Sequence, residues 1–243
     1  MDKAKKHEGG SQVNYCCEDI AAMIDLSLLK PNLTDKDIIE GCETAKKYAV
    51  TSVCCAPSAI PLVKKMLENS PVKVSTVIGF PFGYCTTDVK VFEAKEALAA
   101  GAVELDMVLN ISRLLGGDYA YVQQEIAAVA TVTHEAGGLL KVILENCYLN
   151  NDQKIEACRI CELVGAEFVK TSTGYGTGGA KFSDLRLMRE HVSPRVQVKA
   201  AGGIRELDMA LMVKEVGATR FGCTATEEIM EDCKHRLAME NQA

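Results

Sequence analysis

Tryptophan is absent from the 243 residues, and Phe and Tyr together make up only 5% of them. Any core must therefore be assembled from Val, Ile, Leu, Ala and Cys. Long apolar runs are also missing: no window approaches the roughly eighteen consecutive apolar residues of a membrane helix. Positive charge is in deficit, with 27 Lys and Arg against 33 Asp and Glu and a net charge of -6. Such a chain offers no broad phosphate-attracting face, which argues against nucleic acid as the main partner. The opening MDKAKKHEGGSQ is polar and contains no secretory apolar region, so a cytoplasmic protein is expected. No Gly-x-Gly-x-x-Gly follows the first strand-like run, which removes the dinucleotide-binding reading.

Histidine is equally sparse. His7, His134, His191 and His235 fall in the leading segment or on helical patterns, so neither a His-based acid/base site nor a metal site is expected. Cysteine, by contrast, is plentiful. Eleven is an odd count, and the doublets Cys16-Cys17 and Cys54-Cys55 stand where buried apolar residues would. They read as reduced core fillers, since a free thiol packs as a small hydrophobe. Cys158-x-x-Cys161 has no second pair to complete a zinc site and reads as one face of a helix.

What is present is an alternation. Short β-branched runs fall at 24–29, 52–55, 73–78, 103–109, 139–144, 167–171, 196–200 and 219–223, with amphipathic stretches between them. Thr34-Asp-Lys-Asp-Ile-Ile-Glu carries an N-cap followed by acids where the helix dipole favours them. Gly101-Ala102, Gly165-Ala166 and Gly217-Ala218 each close a helical pattern just before a strand. Alternating strands and helices imply βαβ units and a parallel sheet. Eight units predict an α/β fold, a single-domain (β/α)8 TIM barrel over 14–243. Residues 1–13 are expected to be a disordered tail, and a short helix near 14–23 to cover the N-terminal end of the barrel.

In such a barrel, chemistry sits at the C-terminal ends of the strands. Asp106, Lys170 and Lys199 stand inside apolar strand runs, where a charge is costly unless it has a partner or a task. One lysine in a strand is better explained as half of a buried ion pair. Two lysines and an acid on strands four, six and seven, opening toward one face, favour catalysis instead. Repulsion between the two ammonium groups, together with burial, is expected to lower a lysine pKa and leave free amine, which attack on a carbonyl requires. Gly202-Gly203-Ile204-Arg205 and Phe221-Gly222-Cys223-Thr224 follow strands seven and eight, where barrels hold phosphate on backbone N–H groups. The loop Gly174-Tyr-Gly-Thr-Gly-Gly after strand six is expected to be a lid or phosphate rim. Lys141 and Glu145 either line the pocket or form a supporting ion pair, and Cys54 reads as a buried, inert thiol.

The segments Thr76-Val-Ile-Gly-Phe-Pro-Phe-Gly, Glu104-Leu-Asp-Met-Val-Leu-Asn, Lys141-Val-Ile-Leu-Glu, Phe168-Val-Lys-Thr-Ser-Thr-Gly, Val198-Lys-Ala-Ala-Gly-Gly-Ile-Arg and Arg220-Phe-Gly resemble the deoxyribose-phosphate aldolase family. Order and spacing agree from about residue 24 to about residue 226. The resemblance implies a class I aldolase without cofactor or metal, cleaving 2-deoxy-D-ribose 5-phosphate to glyceraldehyde 3-phosphate and acetaldehyde. It assigns the Schiff base to Lys170, proton transfer to Asp106, and tuning or relay to Lys199. Thr171, Gly174, Gly202, Gly203, Gly222, Cys223 and Thr224 would bind substrate or phosphate, and Asp25, Ser27, Cys54 and Lys141 would line the pocket. Three segments depart from the family: Asp25-Leu-Ser27 stands for Asp-His-Thr, Cys54-Cys-Ala-Pro57 for Cys-Val-Asn-Pro, and Thr224-Ala225 for a serine pair. These leave the acceptor aldehyde open, and with it two alternatives: a non-catalytic sugar-phosphate binder, or a Schiff-base aldolase with another acceptor. The oligomeric state is equally open, a homodimer or homotetramer included.

Overall fold

The computed structural model describes residues 15–240; the expected tail at 1–13 lies outside the described residues. Among the described residues there are eight strands: β1 (Ile24–Leu28), β2 (Ser52–Cys55), β3 (Lys73–Ile78), β4 (Glu104–Val108), β5 (Leu139–Ile143), β6 (Phe168–Lys170), β7 (Gln197–Ala201) and β8 (Arg220–Cys223). All neighbours pair in parallel, and β8 pairs with β1, so the sheet closes into a barrel in chain order. The expected (β/α)8 architecture is the observed one.

A helix follows each strand: α2 (Asp35–Tyr48), α3 (Ile60–Met66), α4 (Thr87–Ala100), α5 and α6 (Ile111–Leu115, Tyr119–Glu135), α7 (Asn151–Leu163), α8 (Phe182–Glu190), α9 (Leu207–Glu215) and α10 (Thr226–Glu240). Local chemistry sets their ends. Thr34 and Asp37 cap α2 reciprocally, the Thr34 N–H donating to the Asp37 carboxylate at 2.7 Å. Gly101 ends α4 at φ 116°, a conformation an L side chain rarely adopts. The short α1 (Cys17–Ala21) precedes β1 and packs on α10. Cys158 and Cys161 lie buried on α7 in the core, as the helix-face reading requires. On α9, Leu207, Ala210 and Val213 face inward while Met212 is exposed. Among the described residues, no helix is long and apolar enough to cross a membrane.

Strand alternation sorts the residues onto two sides. Leu105, Met107, Leu140, Val142, Val169, Val198, Ala200 and Phe221 face outward and build one continuous core with the helices. The positions between them face the barrel axis, and there the apolar side chains usual in a barrel give way to ionisable ones.

Candidate active site

Seven charged side chains converge inside the barrel. Asp106 on β4 lies at the centre: its Oδ2 accepts from Lys170 Nζ at 2.6 Å and from Lys199 Nζ at 2.7 Å, and its Oδ1 from Lys141 Nζ at 2.9 Å. Register explains the meeting, because Lys170 and Lys199 pair on β6 and β7, and Asp106 pairs with Lys141 on β4 and β5. Deeper toward the N-terminal ends, Asp25 sits 2.5 Å from Lys199 and accepts from Arg220 Nε at 3.0 Å. Glu104 sits 2.6 Å from Lys141 and 2.7 Å from Arg220. The Ser52 hydroxyl also donates to Asp25, at 2.6 Å.

The charge count within this network decides its behaviour. Lys141, Lys170, Lys199 and Arg220 are buried against Asp25, Glu104 and Asp106, so four cations face three anions and full ionisation leaves an excess of 4 − 3 = +1. An uncompensated buried charge is costly, and one proton is best lost from the cation with the weakest support. That cation is Lys170. Lys141 touches Glu104 and Asp106, and Lys199 touches Asp25 and Asp106, whereas Lys170 touches Asp106 alone.

The pKa directions follow. Burial pushes the Lys170 amine below its ordinary value, Asp106 opposes this, and the Lys199 ammonium adds to the depression. Lys199 moves the other way: burial opposes its charge, but Asp106 and Asp25 outweigh that and raise it. The lysine whose pKa is lowered, as the sequence led one to expect of one of them, is Lys170, and burial is the larger cause, ahead of the neighbouring cation. Asp106 is held well below the usual carboxylate range; burial opposes this, and Lys141, Lys170 and Lys199 overcome it.

The remaining sequence candidates divide. Asp25 and Lys141 belong to the ion network. Cys54 faces the same interior, with its thiol pKa raised by burial. Ser27 is half-buried above Asp25, its Oγ 3.5 Å from the place a Cβ on Gly222 would occupy, and that place is 3.8 Å from Lys199 Cε. Gly222 thus keeps space open over the lysine. Gly202 and Gly203 follow β7 with φ 87° and 91°, and nothing lies within 4 Å of a Cβ built on Gly203. Thr224 is exposed at the end of β8. Gly174 is exposed after β6. Two candidates are occupied elsewhere. The Thr171 hydroxyl donates to Ala201 O and accepts from Ala201 N–H, clamping β6 to β7. The Cys223 side chain packs outward in the helix-facing core with its thiol pushed up to about 11 by burial, so only its backbone faces the loops.

Beside these loops, a cleft of 320 Å³ opens at the C-terminal ends of β3 to β6, lined largely by aromatic and apolar side chains such as Phe82, Tyr84, Leu115 and Tyr148. Its floor is Glu145, a residue at φ 55° whose carboxylate accepts the Thr173 N–H at 3.1 Å and the Thr173 hydroxyl. Beneath its walls runs a buried ion pair with no signal in the sequence. Lys90 on α4 sits 2.8 Å from Glu125 on α6 and donates to Gly83 O and Val108 O at 2.7 and 2.8 Å, while Glu125 accepts the Asn110 N–H at 2.9 Å. Burial lowers the Lys90 pKa and raises that of Glu125. Among the described residues, no three His, Cys, Asp or Glu side chains converge as a metal site would need.

Comparison with known proteins agrees with this architecture. A model of DeoC/LacD family aldolases matches residues 19–225. A deoxyribose-phosphate aldolase of Rhodopirellula baltica is 48% identical over 93% of this chain and 94% of its own length. That of Thermococcus kodakarensis is 51% identical over 88% and 96%. Among solved structures, the tetrameric deoxyribose phosphate aldolase of Aeropyrum pernix superimposes with a TM-score of 0.84 at 32% identity, covering 90% of this chain and 92% of that one. The chain belongs to the DeoC/LacD aldolase family.

Proposed function

We propose that this family member is a class I aldolase that cleaves 2-deoxy-D-ribose 5-phosphate to D-glyceraldehyde 3-phosphate and acetaldehyde, with Lys170 as the Schiff-base nucleophile. One observation carries the reading: Lys170 is the least-supported cation in a buried network with one positive charge too many. An amine in that position gives up its proton more readily than an ordinary lysine, and the free amine attacks a carbonyl without a separate base.

The chemistry then runs as follows. The neutral Lys170 amine adds to the C1 aldehyde, and loss of water leaves a protonated imine. A base takes the proton of the C3 hydroxyl, the C2–C3 bond breaks, and its electron pair moves through C2 and C1 to the imine nitrogen. Glyceraldehyde 3-phosphate leaves, and an enamine remains on Lys170. Protonation at C2 restores an imine, and water releases acetaldehyde and the free amine. Asp106, touching both lysines, relays these protons directly or through water. Lys199, which burial fails to discharge, stays an ammonium and keeps the field at Lys170 positive. Backbone N–H groups around Gly202, Gly203, Gly222 and Thr224 receive the phosphate, since helix and loop N-termini favour anions. The high identity to curated deoxyribose-phosphate aldolases supports the substrate, and the A. pernix tetramer supports self-association into a dimer or tetramer.

Reduction with borohydride in the presence of acetaldehyde tests this. The expected product is an N-ethyl group on Lys170, found by peptide mass analysis, with turnover unaffected by EDTA. Modification at a different lysine, or none at all, removes the mechanism. Calorimetric binding of the sugar phosphate without product would select a binding protein instead.

A further inference from the structure

Lys170, at the C-terminal end of β6, is only 4% exposed, too little for a sugar phosphate to reach its nitrogen. Two contacts place Tyr175 across the mouth of the barrel on that side. Tyr175 belongs to the loop after β6. Its hydroxyl donates to Leu29 O, just past β1, at 2.8 Å, and its ring meets Phe80, in the loop after β3, edge to face at 5.4 Å. In the closed order of the barrel, β6 is separated from β3 by two strands and from β1 by two others. A side chain that touches the loops after all three lies across the mouth of the barrel. Its outer face is in solvent, the residue being 47% exposed.

The backbone on either side is fixed. Thr173 is tied to Glu145, and the Tyr175 N–H donates to Thr173 Oγ1 at 2.9 Å. Gly176 lies so close to Cys147 that an added Cβ would meet its Sγ at 2.9 Å. Any movement of the ring would thus be a side-chain rotation, with the loop held. Tyr175 also lines the 320 Å³ cleft, so a ring that swings aside joins cleft and chamber.

The geometry points to Tyr175 as a positioning residue that closes the reaction chamber over Lys170, latched by its hydroxyl to Leu29 and seated by its ring on Phe80. Seated, it shields the imine from bulk water and confines the acceptor aldehyde; released, it admits and discharges them. The kinetic consequences rest on the aldolase reading, but the closure itself does not.

Cys54 supplies a probe independent of turnover, because it lies in the same closed interior and is 1% exposed. Peptide mass analysis would follow its labelling by methyl methanethiosulfonate in the wild type, Tyr175→Phe and Tyr175→Ala. Labelling of Cys161, buried in the helix-facing core, corrects for global opening. Removing one hydrogen bond shifts a two-state equilibrium by about 2- to 10-fold. The Cys54-to-Cys161 ratio is thus expected to rise by that factor in Tyr175→Phe and further in Tyr175→Ala. Borohydride trapping of acetaldehyde on Lys170 should accelerate in the same order, with KM for the sugar phosphate raised more than kcat is changed. An unchanged ratio in both variants overturns the closure. If the alanine variant unfolds, the phenylalanine ratio decides. Faster Cys54 labelling with no trapping in any protein, the wild type included, upholds the closure and removes the aldolase reading.

Discussion

Leu105 and Asp106 are neighbours on β4, yet they serve opposite ends. Leu105 faces the helices and joins a core of aliphatic, Ala and Cys side chains that runs around the whole barrel. Asp106 faces the axis, fully buried, and accepts from three lysine side chains. The outer face follows the rule for stability: apolar area leaves water. The inner face departs from it. Buried ion networks contribute little net stability, and apolar groups of the same volume often do better. An interior with four cations against three anions is kept, on this reading, for the amine it leaves uncharged.

The sharpest break of that comparison is Lys170→Met. Turnover should fall on the order of 10⁴-fold or more, as when a covalent nucleophile is removed. The thermal midpoint should hold or rise, because the three remaining cations match the three anions and an apolar side chain replaces a buried amine. A variant that loses stability along with activity would make Lys170 a structural member of the network. Leu105→Ala, one residue away from Asp106, should do the reverse. It should cost about 2–5 kcal/mol in denaturant unfolding, while kcat and KM of the folded fraction stay within about twofold. The smallest effect separates the faces by pH. Asp25 and Asp106 both have folded pKa values below their ordinary 3.8, burial being outweighed by the surrounding cations. Their contribution is therefore fully present above that value and is lost as pH falls through the lower, folded ones. Leu105→Ala should keep the wild-type slope of stability below pH 4. Asp106→Asn should flatten it by up to one proton, about 1.4 kcal/mol per pH unit. Equal slopes would mean that Asp106 takes up no proton on unfolding.

Much of this was readable from the chain. Short β-branched runs marked all eight strands, and a charge amid Val and Leu is conspicuous enough to single out Asp106, Lys170 and Lys199. Glu104 and Arg220 carry the same signal, two residues before Asp106 and Gly222 on their strands. Lys90 and Glu125 were not readable at all. Charged residues on amphipathic helices are ordinarily solvated, and only the packing of α4 against α6 buries these two. Thr171 directly follows β6 and Cys223 ends β8, and the sequence does not say which way a strand-end side chain turns.

The sequence by itself determined the alternation, and alternation determines the barrel and the two faces of each strand, because side-chain direction in a strand is a local property. The tertiary structure alone decided which cations share which anions, which lysine is left with a single partner, and that a tyrosine after β6 reaches a carbonyl after β1. Those outcomes depend on distances across the barrel between residues far apart in the chain, and on burial, which no stretch of sequence possesses until the ring of strands has closed.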